Sequence, residues 1–216
     1  MADRRQLAAL VGAGLTMLLL VACSGGGGGA GPAMPLAATG NVAEASTGSD
    51  TGTLEQQVTA LTARLRDLGP GVDPAEAARA AEIAVRQPLQ WAREWQVTDS
   101  PLVHNFKVVN GLRDKGVCQD WADALEIALH AERFRTLDLH RGIANARNLS
   151  LEHASLIITA KGQPWDDGLL LDPWRIGQGR LFVAQVREDP RYTWESREAV
   201  RAWHADWKRR ALERQG

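Results

Sequence analysis

A shift in apolar periodicity predicts an α+β domain over residues 54–216. The front of this stretch and its tail carry apolar residues at helical spacing, whereas the middle holds a β-branched run, a turn and a second apolar run that read as a hairpin. The length suits one domain with a single core, and no internal repeat divides it. The first helix is expected from about Leu54 to Leu68, ended by Gly69-Pro70-Gly71. A second opens with Asp73 as N-cap and Pro74 at its first position, where the missing N–H is no loss. Ala77, Ala80, Ala81, Ala84 and Val85 form its apolar stripe, and Pro88 is expected to break or kink it. Trp91 and Trp95 are spaced to share one face and read as core. After Ser100-Pro101, a loop or short helix through Asn105 and Asn110 leads to Gly111 and Gly116.

Ahead of this domain, Arg4 and Arg5 precede an uncharged, mostly apolar run from Leu7 to Ala22. The run is short for a membrane helix and lacks a charged stop-transfer flank, so residues 1–22 read as a removable signal peptide. Leu20-Val21-Ala22-Cys23 resembles the lipobox of bacterial lipoproteins. That resemblance implies that Cys23 becomes the first residue, carries lipid and anchors the chain to a membrane of the cell envelope. By the same resemblance, Ser24 in place of Asp favours the inner leaflet of the outer membrane over the inner membrane, which stays the alternative. Arg4-Arg5 is read as an ordinary positive region, without the surroundings of a twin-arginine signal. Residues 23–53 comprise the lipidated cysteine and a Gly, Ala, Ser, Thr and Pro segment expected to act as a flexible tether, with a reach of about 30 Å.

The middle of the domain carries the chemistry. Gly116-Val117-Cys118-Gln119-Asp120-Trp121 opens a helical stretch with Trp121, Leu125, Ala128 and Leu129 on one face, which puts Cys118 in the first turn. The unpaired N–H groups and dipole of a helix N-terminus stabilise an anion there, favouring a nucleophilic thiolate. With Cys23 acylated, Cys118 has no partner for a disulfide within the mature chain, while an intermolecular one stays open. A strand is expected around Arg135 to His140, then an irregular stretch with Asn145, Arg147, Asn148 and Ser150. The β-branched run from Glu152 to Ala160 forms the next strand, residues 161–168 the turn, and Leu169-Leu170-Leu171 the return, with Asp172-Pro173-Trp174 at its end. His153 begins one strand and Asp172 closes its antiparallel partner, so the two can lie side by side. A carboxylate there can hold the imidazole's tautomer while the other ring nitrogen faces a thiol.

In order and spacing, Gly116-x-Cys118 at a helix start, His153 at a strand start and Asp172 at the end of the next strand resemble the transglutaminase-like cysteine enzymes of the papain-like superfamily, in particular their bacterial lipoprotein branch. The resemblance spans roughly Asn110 to Phe182. It implies a papain-like (transglutaminase-like) core: N-terminal helices, a central Cys-bearing helix packed on a small antiparallel sheet, and a C-terminal amphipathic helix. Cys118 would be the nucleophile, His153 the general base and acid, and Asp172 the orienting acid. The segment from Gly179 to Val186 would supply another strand. For the side chain completing an oxyanion hole with the Cys118 N–H, the candidates are Asn105, Asn110, Trp91 and Trp95, with Asn105 preferred.

Other chemistries find little support. His104, His130, His140 and His204 make no metal-ligand spacing with Cys118, and neither metal nor cofactor is expected. Asp166-Asp167 falls short of a calcium cage and reads as a solvated turn. Without Asp3, Arg4 and Arg5 the charged residues number 23 basic and 25 acidic. The near balance, the lack of a long basic run and the scattering of the eight tryptophans argue against nucleic acid. Asp120 and Asp123 read as solvated or as helix caps, and Glu152 as a tuner of His153 or a surface residue. The tail from Ser196 to about Arg214 reads as an amphipathic helix, with Val200, Trp203 and Trp207 on one face. It is expected to pack on the domain, with membrane-surface contact through Lys208, Arg209 and Arg210 as the alternative.

The expectation for the whole is a monomeric, membrane-anchored cysteine hydrolase or acyltransferase acting on peptide amide bonds of envelope substrates. The rival is a non-catalytic envelope module in which the same residues only pack.

Overall fold

The computed structural model describes residues 52–148 and 151–214. The signal-peptide and lipidation readings at residues 1–22 and Cys23, and all of the linker before Gly52, lie outside the described residues. Within them the chain is α+β, with five helices and one five-stranded antiparallel sheet. The helices are α1 (Leu54–Arg66), α2 (Pro74–Glu94), α3 (Pro101–Val109), α4 (Cys118–Ala131) and α5 (Arg197–Glu213). The strands are β1 (Leu137–Ala144), β2 (His153–Ala160), β3 (Leu169–Asp172), β4 (Phe182–Gln185) and β5 (Trp194–Ser196), in the order β4-β3-β2-β1-β5.

Helix starts follow local chemistry. Thr53 and Gln56 form a reciprocal capping box ahead of α1, and Asp73 accepts the Ala75 and Glu76 N–H groups at the head of α2. α2 runs unbroken through Pro88, contrary to the expected break. Proline removes one N–H from the ladder, and the buried stripe on either side, Ala84, Val85 and Ala92, outweighs that loss. Gly179 approaches the same turn so closely that a Cβ there would lie 2.2 Å from the Pro88 carbonyl oxygen. Glu76, also buried, accepts the N–H groups of Arg135 at 3.0 Å and Thr136 at 2.9 Å, tying α2 to the chain entering β1.

β2 is the centre of the sheet and is buried along its whole length. On one face Leu156, Ile158, Leu169 and Leu171 share a core with Leu61 and Leu65 of α1, the alanine stripe of α2, and Leu125 and Leu129 of α4. On the other, Ile157 and Leu170 pack with Ala144, Val186 and Trp194 beneath Trp165, Phe182 and Tyr192. That second face is roofed by aromatic side chains from loops and edge strands. β1 lies further along the chain than the expected Arg135–His140, because residues through Ala144 pair with both β2 and β5. β5, which the sequence analysis does not contain, exists through this pairing of Trp194–Ser196 with Gly142–Ala144.

The tail packs less than its pattern suggested. Ser196 caps α5 and Val200 is buried against Ala122, Ile143, Ala146 and Ala154, whereas Trp207 is half exposed. α3 behaves more unusually: Leu102, Phe106 and Val109, spaced as a core stripe, face outward, and only His104 is buried.

Candidate active site

The loop before Cys118 is locked from several directions. Gly116 adopts φ +122° and sits against the buried His104, where a Cβ would lie 2.4 Å from Nε2. Val117, the N-cap of α4, has no side-chain acceptor. Asp120 makes the return half of a capping box instead: its carboxylate accepts the N–H of Gly116 at 2.8 Å and of Val117 at 3.0 Å. The Trp121 indole N–H donates to the Gly116 carbonyl at 2.9 Å. Cys118 is therefore the first residue of α4, where helix geometry leaves N–H groups without an intrahelical acceptor. Its half-buried free thiol lies 3.8 Å from the carbonyl oxygen of Glu152, the residue before His153.

Strand register brings the second pair together. β2 and β3 pair Leu156 with Leu171, Ile157 with Leu170 and Ile158 with Leu169. Continued toward the end of the hairpin, that register makes His153 and Asp172 diagonal neighbours on one face. His153 Nε2 meets Asp172 Oδ2 at 2.7 Å, with the two side chains 3% and 1% exposed. Nδ1 is buried and makes no formed hydrogen bond. The Cys118 sulfur nevertheless approaches closely enough to act on the ring. Burial alone would lower the His153 pKa; the bond to Asp172 and the approach of the Cys118 sulfur, with the charges of both, outweigh burial and push it up to about 9. The ring is walled by Trp174 at 4.7 Å, Tyr192 at 4.9 Å and Trp194 at 5.5 Å between centroids.

Asp172 is held by more than the histidine. Its Oδ1 accepts the N–H of Trp174 at 3.1 Å and of Arg175 at 3.0 Å, and its Oδ2 also accepts Arg175 Nε at 3.0 Å. Arg175 in turn forks onto Asp189, Nη1 to Oδ1 at 2.9 Å and Nη2 to Oδ2 at 2.7 Å. Asp189 accepts the Trp194 indole N–H at 2.8 Å and the Arg191 N–H at 2.9 Å. Neither Arg175 nor Asp189 is foreseen from the sequence. The visible signal was local: an Asp followed by proline reads as a turn, and both Asp172 and Asp189 do accept N–H groups two residues on.

The oxyanion candidates separate. Asn105 Oδ1 accepts the Trp174 indole N–H at 3.0 Å, which ties Asn105 to the ring packed on His153. Asn110 donates its amide to the Phe106 carbonyl of its own helix at 2.7 Å. Trp91 and Trp95 stack at 5.9 Å, and Trp95 meets Trp121 at 4.6 Å, forming an aromatic wall that packs with Cys118. Asp166 and Asp167, expected as a solvated turn, are bridged by Arg187 at 2.9 and 2.6 Å, because β4 leads directly into the turn that carries this cation. Among the described residues no group of three or more His, Cys, Asp or Glu side chains is gathered as metal ligands.

Comparison with protein-family models, with curated proteins and with solved structures gave no match. A thiol at a helix head, an imidazole with one nitrogen held and the other bare, and a buried carboxylate can chemically serve as a nucleophile, a proton shuttle and its orienter.

Proposed function

We propose that the chain is a cysteine hydrolase of peptide amide bonds with a papain-like, transglutaminase-like core. One observation carries this reading: Asp172 holds His153 Nε2 at 2.7 Å, the buried Nδ1 has no formed hydrogen bond, and Cys118 acts on the same ring.

Transfer of the Cys118 proton to His153 Nδ1 gives the thiolate that attacks, and the raised His153 pKa of about 9 favours the imidazolium partner at neutral pH. The thiolate attacks the substrate carbonyl carbon, forming a C–S bond as the π pair moves to oxygen. The Cys118 backbone N–H at the head of α4 donates to that oxyanion, with Asn105 the candidate second donor. As the intermediate collapses, the C–N bond breaks and His153 Nδ1–H protonates the leaving amine. Neutral His153 then takes a proton from water, hydroxide adds to the thioester carbonyl, and the C–S bond breaks to release the acid and restore the pair. An amine in place of water would give transfer. Hydrolysis is favoured because it needs no second substrate.

The Leu20-Val21-Ala22-Cys23 sequence supports export and lipid anchoring, which would restrict a monomeric enzyme to peptide or protein substrates near its own membrane. Alkylation tests the catalytic reading. Cys118 should react with iodoacetamide well below pH 8 and lose that reactivity in His153→Ala. A thiol in the folded protein that stays inert at pH 7 and responds only above pH 8 sinks the enzyme and favours the packing module. Incorporation of labelled palmitate, abolished by Cys23→Ala, tests the anchor.

A further inference from the structure

We infer that Arg175 and Asp189 form a positioning pair for the site: Arg175 fixes the Asp172 carboxylate toward His153, and Asp189 supplies the negative charge that keeps the imidazole protonated opposite the thiol. The inference rests on the cysteine-nucleophile reading for its purpose, though not for its geometry.

Asp172 has no freedom left. His153 Nε2, Arg175 Nε and two backbone N–H groups occupy its acceptor positions, so the carboxylate can neither rotate nor admit water. Arg175 is 5% exposed and reaches both carboxylates at once, with Nε on Asp172 and the fork of Nη1 and Nη2 on Asp189. Its guanidinium lies 4.1 Å from the Phe182 ring centroid, 4.9 Å from that of Tyr192 and 5.9 Å from that of Trp194. Tyr192 and Trp194 also wall His153, so the segment from Asp189 to Trp194 holds Arg175 and the imidazole together.

Charge completes the argument. Two carboxylates and one guanidinium leave a buried cluster of net charge −1. A cation beside that cluster balances it, and His153 is the titratable group placed to become one. Asp189 keeps its own charge: burial would raise its pKa, but the bonds from Arg175, the Arg191 N–H and Trp194, with the Arg175 charge, hold it below the usual carboxylate range. Cys118 from α4 and Asp172 from β3 act on the imidazole directly and Tyr192, from the segment before β5, packs on it; Arg175, from the turn after β3, reaches it through Asp172, and Asp189 through Arg175.

Two substitutions separate charge from orientation. Arg175→Lys keeps the sum of charges and removes the fork. His153 should titrate within about half a pH unit of the parent while Cys118 alkylation slows about tenfold. Asp189→Asn removes one negative charge, and the His153 titration should fall by about one pH unit or more, carrying the alkylation profile with it. Both are read by ring ¹⁵N shifts and iodoacetamide rates across pH. Folded variants that titrate and react like the parent overturn the inference. The parent protein alone offers a further test: above its pKa, His153 should carry its proton on Nε2, and a proton found on Nδ1 overturns the inference without any variant. A parent whose Cys118 is inert while His153 still answers to Asp189→Asn sinks the hydrolase reading and leaves the positioning pair standing. A reactive Cys118 indifferent to both substitutions does the reverse.

Discussion

The two sides of the His153 ring are built on opposite principles. Toward Nε2 lies Asp172, every acceptor position filled, backed by Arg175, Asp189 and Trp194. Nδ1 has no formed hydrogen bond, and the half-exposed thiol of Cys118 acts on the same ring. A buried polar atom left unpaired costs about 1–3 kcal/mol, so the bare nitrogen is expensive unless it has work to do. The contrast shows where this fold fixes geometry and where it leaves a ring nitrogen open.

Breaking the fixed side should have the largest effect. Asp172→Ala strips the imidazole of its partner and removes one of the two carboxylates on buried Arg175; a loss of about 3 kcal/mol in a denaturant melt is expected, with Cys118 reactivity at neutral pH gone. Removing the ring comes next. In His153→Ala the thiol loses its proton acceptor, so alkylation at pH 6.5 should slow about 100-fold. A folded His153→Ala that alkylates at the parent's rate contradicts the proton-shuttle assignment.

Smaller effects belong to the open side. Gly116→Ala forces a Cβ to within 2.4 Å of His104 Nε2 at φ +122°, so the loop that presents Cys118 must shift. A destabilisation of about 2 kcal/mol, with slowed alkylation, is expected. Cys118→Ala should change stability by less than about 1 kcal/mol, because the thiol fills little of the core. It should instead lower the His153 pKa from its value of about 9, as ring NMR can follow. A titration unmoved by that substitution would place the sulfur out of reach of the ring.

Stability should follow pH with a definite sign. The folded His153 pKa of about 9 lies above its unfolded value of 6.5, so the stabilisation is complete below about pH 6.5 and is lost as pH rises through about 9. Melts across that range should show this decline, with a smaller one in Cys118→Ala. A flat profile would mean that His153 is neutral in the folded protein.

Much of the scaffold was legible because it is local. Asp73-Pro74 and Ser196 mark helix starts through bonds to residues two or three positions on. The His153–Asp172 pairing also followed from a short hairpin, since antiparallel register needs only the run of strand residues and the turn between them. Pro88 shows the limit: its cost is local, but the packing that overrides it comes from elsewhere. Trp194–Ser196 becomes a strand only where β1 offers it an edge, and Glu76 is buried only where the chain at Thr136 passes over α2.

By itself, then, the sequence determined the α+β class, the place of Cys118 at a helix head and the nearness of His153 to Asp172 at one end of a hairpin, because caps, periodicity and hairpin register act over a few residues. The tertiary structure alone decided that Arg175 lies between Asp172 and Asp189, that Trp174, Tyr192 and Trp194 enclose the imidazole, and that Nδ1 stays bare. Those features depend on which loops cover the second face of the sheet. Their strength comes from excluding water, and no window of adjacent residues encodes that exclusion.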